Sequence, residues 1–210
     1  GVAKNKAALS GRLQTKVDLK KEYMQEDIKK ACEIMRNGGI ILYPTDTIWG
    51  IGCDATNEEA VQRVYELKQR SDSKSMLVLL DNPAKLQTYV QEVPDIAWDL
   101  IELTDKPLTI IYEGAKNLAT NLVAADGTIG IRITGEVFSR ELCRQFRKPI
   151  VSTSANVSGA PAPGRFSQIG AEIKNGVDYV VTYGQKEQRE AKPSGIVKLG
   201  KDGTIQIIRK

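Results

Sequence analysis

Apolar residues follow two alternating periodicities along most of this chain, and that alternation limits the folds it can adopt. Short apolar runs, typical of strands, lie near residues 40–43, 76–80, 108–112, 128–133, 149–152 and 177–182. Segments with apolar residues three and four positions apart, typical of helices, lie near residues 24–37, 57–68, 83–90, 94–103, 136–147 and 166–174. A final pair of strands is predicted at 195–199 and 204–208. This order predicts an α/β fold with a mixed, twisted sheet and flanking helices.

The length of 210 residues suits one domain with a short appendage. Residues 1–21 are rich in lysine and lack clear periodicity, so we interpret them as an N-terminal arm or irregular extension of a domain that covers residues 22–210. Neither an apolar run of about 18 residues nor an apolar signal core occurs, so we expect no membrane span and a cytoplasmic location. The three cysteines, Cys32, Cys53 and Cys143, lack C-x-x-C spacing and are expected to be buried free thiols.

The sequence contains no histidine, and this absence excludes several kinds of chemistry. A Ser-His-Asp triad, a histidine general base and a histidine-ligated metal are all ruled out. The net charge of +4 permits an anionic ligand but does not by itself indicate nucleic acid. Any reaction must therefore use Lys, Arg, carboxylates, hydroxyls, backbone groups or an oxygen-bound cation.

Polar segments adjoin four of the predicted strands, where α/β proteins usually bind ligands. Residues 44–52 place two threonines, a carboxylate and an indole in a glycine-flanked loop, which suits a small polar ligand or a tight turn with Trp49 in the core. Residues 68–75 contain Lys68, Arg70 and Lys74 among serines. Such cations bind phosphates, and they also occur at solvated helix ends.

The other two polar segments contain a strand arginine and a run of hydroxyls. Arg132 would clamp a substrate carboxylate if it faced a cleft, or would simply be exposed. Residues 152–159 carry four hydroxyls and the amide of Asn156, which suit phosphate oxygens or a self-capped turn. The residues alone leave both interpretations open at each of the four segments.

Taken in order along the chain, the four segments resemble the YrdC family of threonylcarbamoyl-AMP synthases. The motifs are Y-P-T-D-T-I-W-G-I-G at 43–52, K-Q-R with a following lysine at 68–74, G-I-R at 130–132, and S-T-S-A-N-V-S-G at 152–159. The resemblance extends from about residue 24 to residue 209. It implies the single-domain form of the family, with a twisted open sheet around a concave, positively charged cleft.

The resemblance also implies roles for particular residues. Lys68 and Arg70 would be catalytic, because they would balance negative charge that builds on the phosphates. The expected ATP-binding residues are Lys68, Arg70, Lys74, Thr128, Ser152, Ser154, Asn156 and Arg209. The expected threonine-binding residues are Thr47, Arg132, Ser152 and Ser194. Mg²⁺ would be carried by ATP, without a dedicated protein metal site.

The implied activity is a nucleotidyl transfer. L-Threonine and bicarbonate or CO2 would form a carbamate, which would take AMP from ATP and release pyrophosphate. The product would pass to a separate transferase complex that modifies adenosine in tRNA, and direct contact with tRNA or double-stranded RNA is a further expectation. A closing loop at 183–193 is expected to exclude water from the carbamate.

Two other functions remain open at the level of the sequence. The first is a non-catalytic module that binds double-stranded RNA or tRNA, with an affinity that falls steeply with salt. Against it, aromatic residues make up only 6% of the chain, which leaves few rings for stacking on bases. The second is a regulator that binds a nucleotide without turnover.

Overall fold

The computed structural model describes residues 1–69 and 76–210, and a sheet of nine strands runs through this part of the chain. The strands are β1 (Ile41–Tyr43), β2 (Gly50–Gly52), β3 (Leu77–Leu80), β4 (Leu108–Tyr112), β5 (Ile129–Ile133), β6 (Ile150–Ser154), β7 (Tyr179–Val180), β8 (Gly195–Leu199) and β9 (Ile205–Arg209). The helices are α1 (Val2–Arg36), α2 (Glu58–Lys68), α3 (Leu86–Tyr89), α4 (Asp95–Leu103), α5 (Val137–Phe146) and α6 (Ala171–Gly176).

The sheet is mixed, as the sequence predicts. Its strand order is β7-β1-β2-β6-β3-β5-β4-β8-β9. The pairs β1–β7, β3–β5 and β4–β8 are parallel, and the remaining neighbours are antiparallel. Each predicted strand and helix is present, although the helices predicted near 83–90 and 166–174 begin as the 3-10 turns Pro83–Lys85 and Phe166–Gln168. The predicted α/β fold class is therefore confirmed.

The N-terminal segment differs from the irregular lead-in that the sequence suggested. Residues 2–21 form the first turns of α1, and the whole of 1–23 is exposed. This stretch has no proline and a single internal glycine, Gly11, and it is rich in good helix formers, so local propensity favours a helix without any packing. Only the C-terminal part of α1 is buried, through residues such as Ile28 and Met35. The division into an arm and a domain of 22–210 stays a prediction.

The sequence does not predict strand β2, because residues 44–52 are interpreted as a glycine-flanked loop. The segment Gly50–Gly52 inserts between β1 and β6 and pairs antiparallel with both. A Cβ on Gly52 would overlap the ring of Tyr43 and lie 2.8 Å from the oxygen of Val151. The same glycine that weakens the strand signal in the sequence is thus required by the close approach of the neighbouring strands.

Helices α1 and α5 pack against each other and close one part of the core. Phe138 and Leu142 of α5 are fully buried, as is Met35 of α1. All three cysteines are buried and unpaired, and burial raises the pKa of each thiol. Within the described part of the chain, no helix is long and apolar enough to cross a membrane.

Candidate functional site

A cavity of about 270 Å³ lies beside strands from the middle and one end of the sheet. Its walls come from the β1–β2 loop, the start of β3, the strands β5 and β6, and the β8–β9 hairpin. The lining residues are Thr47, Ile48, Trp49, Gly50, Met76, Leu77, Arg132, Ser152, Thr153, Ser154, Ala162, Pro193, Ser194, Ile196 and Arg209. Six residues predicted from the sequence are therefore brought together here: Thr47, Arg132, Ser152, Ser154, Ser194 and Arg209.

Arg132 of β5 is held by three side chains. Its Nε donates to Asp46 Oδ1 at 2.9 Å, its Nη2 to Thr47 Oγ1 at 3.1 Å and its Nη1 to Thr109 Oγ1 at 3.3 Å. The residue is only 2% exposed. A guanidinium in such a fixed position is oriented before any ligand arrives, which suits recognition of a planar carboxylate.

The electrostatics of the cavity favour an anion. Burial lowers the pKa of Arg209, and the nearby charge of Arg132 lowers it further. Asp46 is the only carboxylate that contacts either guanidinium among the described residues, and burial raises its pKa despite the opposing effect of Arg132. Among the described residues, the two guanidinium groups of Arg132 and Arg209 are balanced by the single carboxylate of Asp46. An anionic ligand would therefore compensate the excess positive charge of the cavity.

Hydroxyl groups surround the two cations. Ser152 and Ser154 are two positions apart on β6, so their side chains point to the same side of the sheet. Ser194 Oγ lies 2.8 Å from Thr109 Oγ1, and the Ser194 carbonyl accepts from Arg209 Nε at 2.7 Å. Carboxylate or phosphate oxygens in the cavity would therefore meet neutral donors as well as charged ones.

Three predicted residues do not line the cavity. Lys68 is buried, and its Nζ donates to the main-chain oxygens of Ser154 and Asn156, the latter at 2.8 Å. The amide nitrogen of Asn156 donates to the main-chain oxygens of Val157 and Ala160. Lys68 and Asn156 thus shape the loop that follows β6, next to the cavity wall.

Thr128 lies at the opposite end of β5 from Arg132. Its Oγ1 donates to Asp126 Oδ1 at 2.7 Å, and Asp126 in turn pairs with Lys198. Arg70 and Lys74, which were also predicted, lie outside the described residues. Their roles stay predictions from the resemblance.

Several residues of the site were not selected from the sequence. Asp46 lay within a quoted motif but received no role, and Thr109 carried no signal at all. Thr109 becomes significant only because β4 pairs with β5 and sets it opposite Arg132. Trp49 is buried and also lines the cavity, with its ring 4.8 Å from that of Phe166.

Fold and site together define an α/β protein with a cavity beside a mixed sheet, lined by two arginines and several hydroxyl groups. The family model Sua5_yciO_yrdC, described as "Telomere recombination", matches residues 33–210. The chain therefore belongs to the Sua5/YciO/YrdC family.

Named relatives and solved structures agree with this assignment. The threonylcarbamoyl-AMP synthase of Pseudoalteromonas translucida is 33% identical over 160 residues, which cover 75% of this chain and 86% of that protein. The protein of the same name from Vibrio cholerae is 29% identical over 184 residues, which cover 83% of this chain and 98% of that one. The crystal structure of E. coli YciO matches with a TM-score of 0.77 at 26% identity over 89% of both chains.

A second structure shares the fold. P. abyssi Sua5 in complex with L-threonine matches with a TM-score of 0.76 at 24% identity, covering 82% of this chain and 50% of that one. This chain thus spans about half the length of that protein.

Proposed function

We propose that this protein is an L-threonylcarbamoyladenylate synthase. It forms threonylcarbamoyl-AMP and pyrophosphate from L-threonine, bicarbonate or CO2, and ATP, for the threonylcarbamoyladenosine modification of tRNA. The observation that carries the proposal is the fixed guanidinium of Arg132, in the same cavity as Ser152, Ser154 and Arg209. The names of the curated relatives support the same activity.

L-Threonine occupies the part of the cavity around Arg132 in this proposal. The carboxylate binds to the guanidinium and to the hydroxyl of Ser194, while Thr47 and Ser152 contact the rest of the amino acid. The support is that Arg132, Thr47 and Ser194 belong to one hydrogen-bonded cluster, through Thr109. Such a cluster fixes the α-carbon, and with it the direction of the amine.

ATP binds beside the amino acid, with its phosphates against Ser152, Ser154 and Arg209. The family resemblance implies further ATP-binding residues: Arg70, Lys74, Thr128, Lys68 and Asn156. Lys68 would act indirectly, because it does not line the cavity but its Nζ contacts Ser154 Oγ at 3.3 Å. Mg²⁺ enters with the triphosphate oxygens, which are hard ligands of the kind that this ion prefers.

The reaction needs no covalent enzyme intermediate. The uncharged threonine amine attacks the carbon of CO2 and releases a proton to solvent as the carbamate forms. With bicarbonate, the same attack breaks a carbon–oxygen bond, and the hydroxyl leaves with the amine proton as water. A carbamate oxygen then attacks the α-phosphorus, and the bond from that phosphorus to the bridging oxygen breaks as pyrophosphate leaves. The protein contributes positioning and neutralisation of charge, with Arg70 and Lys74 assigned to the phosphates. Lys68 acts through Ser154, which its Nζ contacts.

The remaining parts of the proposal concern partners and location. The adenylate passes to a separate tRNA-modifying transferase complex, the enzyme works in the cytoplasm, and a contact with tRNA or double-stranded RNA accompanies the transfer. These statements extend the family's chemistry to this chain.

The test is mass spectrometry of the full chain mixed with ATP, Mg²⁺, L-threonine and bicarbonate, together with an assay for pyrophosphate. We expect threonylcarbamoyl-AMP, with release of pyrophosphate that requires both L-threonine and bicarbonate. Arg70→Ala should reduce turnover strongly. ATP conversion that does not need threonine would contradict the proposal, and salt-sensitive RNA binding without any turnover would favour a binding module instead.

A further inference from the structure

We propose that Thr45 and Thr109, neither of which lines the cavity, are positioning residues for the threonine subsite, the part of the cavity around Arg132. They determine which hydroxyl groups of this subsite donate a hydrogen bond to the ligand and which accept one. Thr45 makes Thr47 an acceptor toward the ligand, and Thr109 makes Ser194 a donor. The inference rests on the proposed function, because it assigns the ligand of this subsite as an α-amino acid. Thr45 is 8% exposed and Thr109 is 2% exposed, so solvent offers their hydroxyls little alternative bonding.

The hydroxyl proton of Thr45 has two acceptors within reach, the main-chain oxygen of Ile48 and Thr47 Oγ1, and the contact with Ile48 is the shorter one. Thr45 Oγ1 donates to the main-chain oxygen of Ile48 at 2.9 Å, and a carbonyl can only accept. The contact of 3.2 Å between the hydroxyls of Thr45 and Thr47 must then be a donation from Thr47. Thr47 also accepts from Arg132 Nη2 at 3.1 Å. Its proton is therefore committed to Thr45, and its one remaining lone pair can only accept from a ligand.

The same accounting gives the opposite result for Ser194. Thr109 Oγ1 accepts from Arg132 Nη1, which has no lone pair to offer in return. Ser194 is the only other described partner of the Thr109 hydroxyl, at 2.8 Å. If Ser194 donated to Thr109, the proton of Thr109 would be buried without an acceptor, which is costly. Thr109 therefore donates, and the proton of Ser194 stays free for a ligand in the cavity.

The resulting pattern matches the two ends of an α-amino acid. A carboxylate only accepts, and it meets the free proton of Ser194 beside the N–H groups of Arg132. The amine or hydroxyl of L-threonine can donate, and it meets the lone pair of Thr47. The pattern opposes ligands that present an acceptor at Thr47 or that lack a carboxylate at Ser194.

The experiment compares Thr45→Val and Thr109→Val with Thr45→Ser and Thr109→Ser. Valine keeps the shape of threonine but removes the hydroxyl, whereas serine keeps the hydroxyl and loses a methyl group. The affinity of the full chain for L-threonine is measured by calorimetry, together with KM for ATP and the thermal unfolding midpoint. Affinities for L-threoninamide, L-2-aminobutyrate and 3-hydroxybutyrate report the carboxylate, the hydroxyl and the amine separately.

We expect both valine variants to weaken L-threonine binding by about 3- to 10-fold, the scale of one hydrogen bond, with KM for ATP changed by less than about twofold. The serine variants should bind like the wild type. Discrimination against L-threoninamide should shrink in Thr109→Val, and discrimination against one of the other two analogues should shrink in Thr45→Val. A valine variant that folds and keeps all three discriminations at wild-type levels would overturn the inference for that residue.

A role in folding alone gives a different result. In that case the unfolding midpoint would fall and both substrates would be affected, with the discrimination ratios intact, and this too would overturn the inference. Failure of the wild type to bind L-threonine would instead refute the proposed function. The two failures are therefore distinguishable.

Discussion

At the scale of single residues, Arg132 is the side chain that joins the separate parts of the candidate site. Its three partners are 86, 85 and 23 positions away in the sequence. Each partner accepts from a different nitrogen of Arg132, so both the position and the orientation of the guanidinium plane are fixed. A planar group held in this way recognises a carboxylate through both its charge and its shape.

The substitution Arg132→Lys should keep the positive charge but remove the planar guanidinium group, which binds two carboxylate oxygens at once. We expect KM for L-threonine to rise by about 10- to 100-fold, because at least one charge-assisted hydrogen bond is lost and Lys cannot contact Asp46, Thr47 and Thr109 at once. Steady-state kinetics with varied L-threonine would measure this effect. The control is Arg144→Lys, since Arg144 is on the surface and its side chain is 62% exposed. Equal kinetics for the two variants would contradict the assigned role.

We expect Asp46 to make the proposed binding of L-threonine depend on pH. Burial raises the pKa of Asp46 above the ordinary value of 3.8, so acid neutralises it before an exposed aspartate. Neutral Asp46 no longer holds the Arg132 guanidinium with a charge-assisted hydrogen bond, and we expect this loss of orientation to outweigh the gain in net positive charge, so that the affinity for L-threonine falls. A pKa that is higher in the folded than in the unfolded state means that protonation of Asp46 stabilises the folded protein. The expected loss of affinity in acid is therefore not caused by unfolding through Asp46.

The matched variant for this prediction is Asp46→Asn. At neutral pH it should already bind L-threonine as weakly as the wild type does in acid, and its affinity should change little with pH. Calorimetry over a pH series, with circular dichroism to monitor folding, would measure both profiles. A wild-type pH profile in Asp46→Asn would assign the titration to another group.

At the scale of secondary-structure elements, the β1–β2 hairpin carries the first wall of the site. Strand β2 is three residues long, and it separates β1 from β6 only because both of its glycines allow close approach. On Gly50, a Cβ would lie 2.9 Å from Ser152 Oγ, a hydroxyl that lines the cavity. The position of Thr47 therefore depends on backbone packing several residues away.

Gly52→Ala should destabilise the protein by about 1–3 kcal/mol, the usual cost of overpacking a core, since the added methyl group has no room beside Tyr43 and Val151. Denaturant unfolding would measure the change. Gly135→Ala is the control, because a Cβ there meets no heavy atom within 4 Å. Equal stability of the two variants would show that the hairpin adapts without cost.

The loop at 183–193, predicted to close over the site, is hydrogen-bonded to the segment that follows the S-T-S-A-N-V-S-G motif at 152–159. Ala191 N donates to the oxygen of Gly164 at 2.8 Å, and Arg165 Nη1 donates to the oxygen of Gln188 at 3.2 Å. The end of this loop leads through Pro193 and Ser194 into the cavity wall. Closure over a bound carbamate stays a prediction.

At the scale of the whole molecule, the first half of α1 stands apart from the packed core. Residues 1–23 are exposed throughout, and none of them lines the cavity. The family model begins at residue 33, within the same helix. Lys20 Nζ nevertheless lies 5.8 Å from the centre of the Tyr183 ring, and the separability of the helical arm stays a prediction.

Deletion of residues 1–18 should leave both stability and activity almost unchanged. We expect a shift in the thermal unfolding midpoint of about 2 °C or less, because changes to exposed surface usually cost under about 0.5 kcal/mol. Calorimetry and the pyrophosphate assay would test this. A large fall in either quantity would show that the arm belongs to the domain, against the predicted boundary at residue 22.

Much of the fold follows from local sequence. Apolar periodicity places most helices and strands, because it records which face of each element is buried, and the alternation of elements indicates a mixed α/β sheet. The motifs and the family resemblance predict six site residues that all line one cavity: Thr47, Arg132, Ser152, Ser154, Ser194 and Arg209. Lys68 shows the limit of this approach, because its type suggests a ligand contact while its Nζ contacts the loop after β6.

The sequence by itself determined the order of elements, the absence of histidine chemistry and the family. Only the tertiary structure decided that Thr109 supports Arg132 and that Gly50–Gly52 is a strand. The physical reason is range. Periodicity and propensity act over one or two turns of the chain, whereas hydrogen bonds between strands join residues whose separation in the sequence carries no local mark.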